Sequence, residues 1–404
     1  MSERKKIAYI QPNSEIGGSD ICLLRMVQAL DKKRFAPLVI LPSDGPLVTA
    51  FEKEGALVRF VPMAQLRTLP SPSYQLRYLS SYWPTVFQLR SVLIENHVDI
   101  VHSNSLYSLY GAWAARLAGR PHVWHIREIP PKIPVAREAL AQTVRMMSAR
   151  VVCMTAACQN ELFDGPNKPK NSCVLYEGID LAEFREHGDG RRIRADLGIP
   201  ADVPLIGFVA RLDPWKGLDI FLKAAAIVHE TFPHAHFLIA GGAPKGFERY
   251  EKEMRTLADS LGLSSHVHFC GFRYKHPDIP DLMASLTLLG HTSVEPEPFG
   301  LVLIEAMAMG RPVIATKMGG PLEIVADGTT GLLIPPSDPS QLATAICTLL
   351  GDPDKLRSMG RAARQRIETL FPVSGFRANL SAIYDAVLGV RTPELPAARS
   401  AVGV

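Results

Sequence analysis

The stretch EPEPFGLVLIEAMAMGRPVIAT sets two carboxylates, Glu297 and Glu305, eight positions apart, with Pro298, Phe299 and Gly300 just after the first. Pro298 fixes the entry to a helix that Phe299-Gly300 open, so Glu297 stands before the helix and Glu305 about two turns into it. Backbone N–H groups at Phe299, Gly300 and Leu301 would face a phosphate, Glu297 a sugar hydroxyl and Glu305 a ribose diol. The structural alternative is a helix cap plus an exposed glutamate. It suits Glu305 poorly, because LVLIEAMAM is apolar and a buried carboxylate needs a partner.

Three further places carry candidate chemistry. In GFVARLDPWKGLD an apolar strand delivers Arg211, and Lys216 follows five residues later beside a helix start; together they can hold a diphosphate, the arginine as a planar fork and the lysine as a point charge. In IAYIQPNSEIGGSDICLLRM a strand leads through Gly17-Gly18 into a helix, an arrangement that lets backbone approach a phosphate at a helix N-terminus; the order is not GxGxxG, and a plain turn is the alternative. His102, after VDIV, and His125, in HVWHIREIP, each end a strand and either can point into an interdomain cleft or serve as a satisfied structural residue. Asp352-Pro353-Asp354 matches a metal-binding DxD only as a string, since Asp there caps a helix that Pro opens.

The elements that must position these groups alternate regularly. Apolar runs at 6–11, 37–42, 57–62, 98–103, 122–126, 150–154 and 172–176 are separated by helical patterns, and a second series follows at 204–210, 236–240, 266–270, 286–290, 312–316 and 331–335. This is the pattern of an α/β protein with doubly wound parallel sheets, here two Rossmann-like domains. In such sheets ligands gather beyond the carboxyl ends of the strands, where the candidate residues fall. The expected domains are 1–185 and 186–374, with a helix near 375–388 returning to the first and a frayed tail at 390–404. The segment 63–84 is Pro/Ser-rich, basic and aromatic, and its lack of either period predicts a long loop.

Composition bounds the rest. The 404 residues, 47% hydrophobic and 21% charged, suit a globular chain with two cores. No apolar run is long enough to span a bilayer and the N-terminus lacks a signal-peptide pattern, so a cytoplasmic protein is expected. Six cysteines, with no CxxC pair, read as reduced core residues. Residues 1–184 carry 21 Lys+Arg against 16 Asp+Glu and the remainder 23 against 24, so the whole formal charge of +4 comes from the first half. Within it Arg67, Arg77, Tyr74, Tyr78, Tyr82 and Trp83, with Lys132, Arg137, Arg145 and Arg150, could rest on anionic headgroups at the inner membrane face; core aromatics and solvated arginines are the alternative. No nucleic-acid-binding motif is present.

Taken together the motifs resemble the retaining glycosyltransferases of family four, which have the two-domain GT-B fold. The resemblance runs nearly the whole length and is strongest over 174–350, through VLYEGIDLAEF, ARLDPWKG, GFRYKHPDIPDLMA, the E-x7-E of Glu297 and Glu305, and GGPLEIVADGTTGLLIPPSD. It implies that Arg211 and Lys216 bind the diphosphate of a nucleotide-sugar donor, Glu305 its ribose and Glu297 the transferred sugar. Gly18 would lie near the phosphates, and His125 would contact the sugar and support the reaction centre. It also implies retention of anomeric configuration, no metal or other cofactor, a glycan, lipid-linked or small-molecule acceptor, and a role in envelope or exported polysaccharide synthesis. Thr287 and Thr292 stand where the family commonly has Asp and Pro, and Arg127 where a small or acidic residue is commoner. A nucleotide-sugar 2-epimerase, a phosphorylase and an inactive sugar-nucleotide-binding protein are the competing readings. A nicotinamide oxidoreductase lacks its fingerprint.

Overall fold

Short apolar runs bounded by turn residues bury both faces only inside a parallel sheet flanked by helices. In the computed structural model, which describes residues 4–64, 72–186, 188–244, 246–272 and 278–390, the runs take that form. The first unit holds β1 (Lys5–Ile10), β2 (Phe35–Leu41), β3 (Leu57–Phe60), β4 (Ile100–Ser103), β5 (His122–Ile126), β6 (Arg150–Cys153) and β7 (Ser172–Val174), paired in parallel in the order β3-β2-β1-β4-β5-β6-β7. The second holds β8 (Leu205–Val209), β9 (His236–Ala240), β10 (Val267–Gly271), β11 (Leu288–His291), β12 (Val313–Thr316) and β13 (Gly331–Ile334), also parallel, in the order β10-β9-β8-β11-β12-β13. Each sheet reverses its winding once, between β1 and β4 and between β8 and β11, and crevices open at such switch points.

Strand alternation divides the core of the first unit into two layers. Ile7 and Tyr9 of β1 pack with Leu23, Met26 and Val27 of the helix Gly18–Ala29 and with Phe376, Leu380, Ile383 and Tyr384 of the helix Val373–Val387. Ala8 and Ile10 face the other way, against Val86, Leu89 and Leu93 of the helix Pro72–Glu95. Each large side chain buried in this way contributes about 1.5–3 kcal/mol, so the last helix of the chain is firmly part of the first unit.

Two expectations change. Residues 72–84 are not loop: Pro72–Glu95 is one helix with Pro84 inside it. Its buried face, not local propensity, holds it. Tyr78 and Tyr82 pack on Tyr110 with ring centroids 5.7 and 4.8 Å apart, which places them against the core rather than in an interfacial band. Arg67 and the side chain of Tyr74 lie outside the described residues, as does the tail beyond Val390. The chain divides after Gly178 and after Pro372, rather than at 185 and 374. The cause at the first boundary is the helix Leu181–Glu186, which packs on the helix Asp278–Ser285 of the second unit.

At the carboxyl edge of the second sheet two backbone segments cross closely. Gly241, just after β9, has φ +144°, and a Cβ there would fall 1.7 Å from the carbonyl oxygen of Ala210. The next residue accepts a hydrogen bond from Leu212 N at 3.0 Å, so this crossing fixes the turn that carries Arg211. Gly241→Ala should therefore lower unfolding stability by about 2–4 kcal/mol. Gly262→Ala, at φ +73° with open space around it, should cost about 1 kcal/mol. Urea unfolding of both variants checks this, and equal costs would show that the close approach contributes nothing.

Candidate active site

In the second unit the chain leaves β8 at its carboxyl end, passes Arg211 and tightens into a 3₁₀ turn at Pro214–Lys216. The segment after β11 is stitched to that turn. Thr292 Oγ1 donates toward the carbonyls of Lys216 and Gly217, at 3.0 and 2.9 Å, and Val294 N donates to Trp215 O at 2.8 Å. The proline common in the family at 292 has no hydroxyl to make this link; Thr287 likewise uses its hydroxyl to accept from Leu205 N at 2.9 Å.

The stitching brings Lys216 Nζ into an ion pair with Glu297 Oε2, their side chains only 14% and 12% exposed. Lys216 Nζ also lies 3.7 Å from the centroid of the Trp215 ring. Glu297 Oε2 receives two more contacts at 3.3 Å, from His291 Nε2 and Ser293 Oγ. Burial pushes the Glu297 carboxyl up, but the Lys216 ammonium and His291 outweigh it and hold the group well below the ordinary carboxylate range. Glu297 is thus an anion at neutral pH. Arg211 is less constrained: its guanidinium is 40% exposed and 3.6 Å from Asp213, a pair too solvated to hold it tightly.

The loop after Glu297 is pinned from behind. Gly320 N donates to Glu297 O at 2.7 Å. Gly319 sits at φ +65°, where a Cβ would lie 2.3 Å from that same oxygen; only glycine fits. Phe299 is buried edge-on to Phe371, with centroids 6.1 Å apart, and Gly300 starts the helix Leu301–Ala308 on which Glu305 is buried. Asp352 caps the helix Pro353–Leu370 by accepting from Lys355 N, and Asp354 pairs with Arg357.

In the first unit Gly17 caps the helix Gly18–Ala29, its N–H donating to Asp20 Oδ2 at 3.0 Å, while the space beside Gly18 is open. Gln11, after β1, donates to Asp20 Oδ1 at 2.7 Å and accepts from Asn104, after β4, at 2.7 Å; the two residues bridge the switch point. Burial pushes Asp20 up to about 7 against the pull of those hydrogen bonds. Asn104 in turn accepts from Arg127, whose guanidinium forms a fully buried ion pair with Glu177. His102 and His125 are wholly buried. His102 uses both ring nitrogens, one 2.9 Å from Tyr384 Oη and one 3.2 Å from His125 Nδ1. Burial, then the Arg127 charge, lowers both imidazoles far below the usual range, so both are neutral.

Within the second unit, then, Lys216 and Glu297 meet directly, and within the first His102 and His125 do. Trp215, His291 and Ser293 beside Glu297, and Gln11, Asn104, Glu177 and Tyr384 in the first unit, belong to no motif that singles them out, and Arg127 stands out in sequence without its partner. The available signal was a charged or amide residue immediately after a buried strand, which Gln11, Asn104 and Arg127 all satisfy.

Because Lys216 supplies the largest favourable charge, Lys216→Met should cost about 3 kcal/mol at neutral pH by leaving a buried carboxylate unpaired. In that variant burial raises the Glu297 pKa above its unfolded value, so the deficit should shrink as pH falls toward about 5 and the carboxyl protonates. The wild-type pair behaves oppositely, with a depressed pKa whose stabilisation is lost only in stronger acid. Unfolding midpoints across this range check the sign.

Both units are similar to known proteins. Residues 16–183 match the family described as Glycosyltransferase Family 4, and residues 189–366 the one described as Glycosyl transferases group 1. A D-inositol 3-phosphate glycosyltransferase of Mycobacterium tuberculosis (strain F11) is 31% identical over 344 residues, covering 81% of this chain and 69% of the relative. The protein of that name from Nocardia farcinica is 28% identical over 376 residues, 87% of this chain and 81% of the relative. The crystal structure of Anabaena Alr3699/HepE with UDP and glucose superposes with a TM-score of 0.82 at 28% identity, covering 95% of this chain and 100% of that one. Sucrose-phosphate synthase of Thermosynechococcus elongatus, 21% identical with a TM-score of 0.78 over 96% of this chain and 100% of that one, shares the fold. The chain belongs to the group 1 glycosyltransferases of family four and has their GT-B fold, two parallel-sheet Rossmann-like units.

Proposed function

We propose that this glycosyltransferase is a retaining, metal-independent hexosyltransferase that uses a uridine diphosphate sugar and delivers the hexose to a hydroxyl of a glycan, lipid-linked or small polyol acceptor. The observation that carries the reading is the buried Lys216–Glu297 pair at the carboxyl edge of the second sheet. A cation held there by a carboxylate, with Arg211 following the same strand, is a fixed countercharge for a diphosphate. Uridine is favoured because the similar Anabaena protein binds UDP and UDP-glucose. An anionic acceptor suits both the positive excess of residues 1–184 and the inositol phosphate in the names of the relatives.

The reaction follows from charge. The bond between the anomeric carbon and the diphosphate breaks with its electron pair going to phosphate oxygen, and Arg211, Lys216 and the N–H groups of Phe299, Gly300 and Leu301 stabilise that charge, the lysine and the N–H groups without reorganising. The acceptor hydroxyl attacks from the same face and gives its proton to the departing phosphate oxygen, which preserves the configuration. Glu297, as an anion, accepts from sugar hydroxyls and Glu305 from the ribose. The protein's own cations supply the countercharge that a metal ion would otherwise provide.

Release of UDP from UDP-glucose, acceptor-dependent and undiminished by EDTA, is the expected result. Arg211→Ala should lower turnover on the order of 100-fold. Loss of activity on chelation, restored by manganese, would overturn metal independence. Release that requires inorganic phosphate would identify a phosphorylase, and donor consumption without any acceptor a 2-epimerase.

We further propose that the first unit rests on an anionic membrane. A groove of about 1030 Å³ runs beside the helix Pro134–Met147, lined by Trp113, Ile133, Leu140 and Met146. Ile133 and Met146 are exposed among its lining residues, Lys132 and Val135 are exposed next to them in sequence, and Arg77 is exposed on the helix Pro72–Glu95. No described helix is long and apolar enough to cross a membrane. The chain should sediment with phosphatidylglycerol vesicles at low salt and be released at high salt. Replacing Arg77, Lys132, Ile133 and Val135 with Ser should abolish this, and failure of the parent chain to sediment would leave a soluble acceptor.

A further inference from the structure

A line of buried polar groups crosses the first unit. Tyr9 Oη lies 2.9 Å from Tyr384 Oη, which lies 2.9 Å from His102 Nδ1; His102 Nε2 lies 3.2 Å from His125 Nδ1. Arg127 Nη2 approaches the same His125 nitrogen at 3.4 Å. At the far end His125 Nε2 is buried and has no hydrogen-bond partner among the described residues.

Proton bookkeeping orients the line. A guanidinium only donates, so a proton on His125 Nδ1 would meet the Arg127 N–H head-on. His125 Nδ1 is therefore bare, and the neutral ring carries its proton on Nε2. His102 must then donate from Nε2, which leaves its Nδ1 bare and requires Tyr384 to donate into it. Tyr384 has no second proton, so Tyr9 donates to Tyr384. Every link points the same way, an arrangement in which hydrogen bonds reinforce one another.

We propose that the long Arg127 contact sets the direction of this line and that Tyr384 and His102, through its shorter hydrogen bonds, are positioning residues that hold His125 in its Nε2–H tautomer, so that it meets the transferred sugar as a hydrogen-bond donor and not as a proton acceptor. This rests on the reading of His125 as a group of the sugar site. It assigns a role to the last helix of the chain, which supplies Tyr384. It also agrees with leaving the acceptor's proton to the departing phosphate, since a ring with Nε2 already protonated cannot take it.

The test reads the tautomer directly. In the full chain labelled with ¹⁵N-histidine, multiple-bond proton–nitrogen spectra distinguish protonated from bare ring nitrogens, and the His125 signals are assigned by their loss in His125→Gln. The expected wild-type pattern at neutral pH is protonated Nε2 and bare Nδ1; the opposite pattern overturns the proposal. Tyr384→Phe keeps the ring but removes the donor. With Tyr384 unable to donate, only the 3.4 Å Arg127 contact opposes the reversed line, so the variant should shift His125 toward a mixture of tautomers and lower kcat on the order of tenfold, with donor KM within about twofold. Tyr9→Phe should do the same more weakly. A Tyr384→Phe spectrum identical to wild type overturns the relay even if activity falls. Absence of glycosyl transfer with the expected tautomer pattern intact would count against the sugar-site reading instead.

Discussion

Parallel pairing sends every carboxyl end of a sheet to the same edge, and the polar side chains delivered there sit partly out of water. Each must find a partner from another strand, because an unpaired buried charge costs more than any single contact returns. This constraint organises both units. In the first, Arg127 after β5 reaches Glu177 after β7, while Gln11 after β1 reaches Asn104 after β4. In the second, Lys216 after β8 reaches Glu297 after β11. The switch points make two of these pairings possible, Gln11 with Asn104 and Lys216 with Glu297, since β1 and β4, like β8 and β11, are neighbours only because the winding reverses there.

The two ion pairs differ in what they leave available. Arg127 and Glu177 are sealed, with side chains 1% and 0% exposed, and serve the architecture around the histidines. Lys216 and Glu297 retain some access, and the lysine is additionally held over the Trp215 ring. A group that is already ordered loses little entropy on meeting a ligand, and this preorganisation is what an electrostatic site requires. Arg211, 40% exposed and 3.6 Å from Asp213, is held less firmly.

The departures from the family pattern also have structural roles. Thr292 ties the Lys216 turn to the segment after β11, and Thr287 joins β8 to the start of β11. Arg127 donates to Asn104 and neutralises Glu177, and its charge adds to the burial that keeps the neighbouring imidazoles neutral. Substitutions that look like changes in the wall of a binding site thus act through the backbone and through buried charge.

The thirteen strands of the described residues, the two-unit α/β organisation and the strand-end residues that could meet a phosphate or a sugar are all legible in the sequence, because apolar runs and turn residues are local signals. Glu305 on a buried helix face is legible for the same reason. Which of these groups touch is set by the tertiary structure. Lys216 and Glu297 are 81 residues apart in the chain, Arg127 and Glu177 50, and His102 and Tyr384 282. No local pattern encodes such pairings. The helix over 72–84 was hidden for a related reason, since its Pro, Ser and aromatic residues hold a helix only when β1, β2 and Tyr110 cover its inner face. Strand order and burial, not propensity, set those contacts.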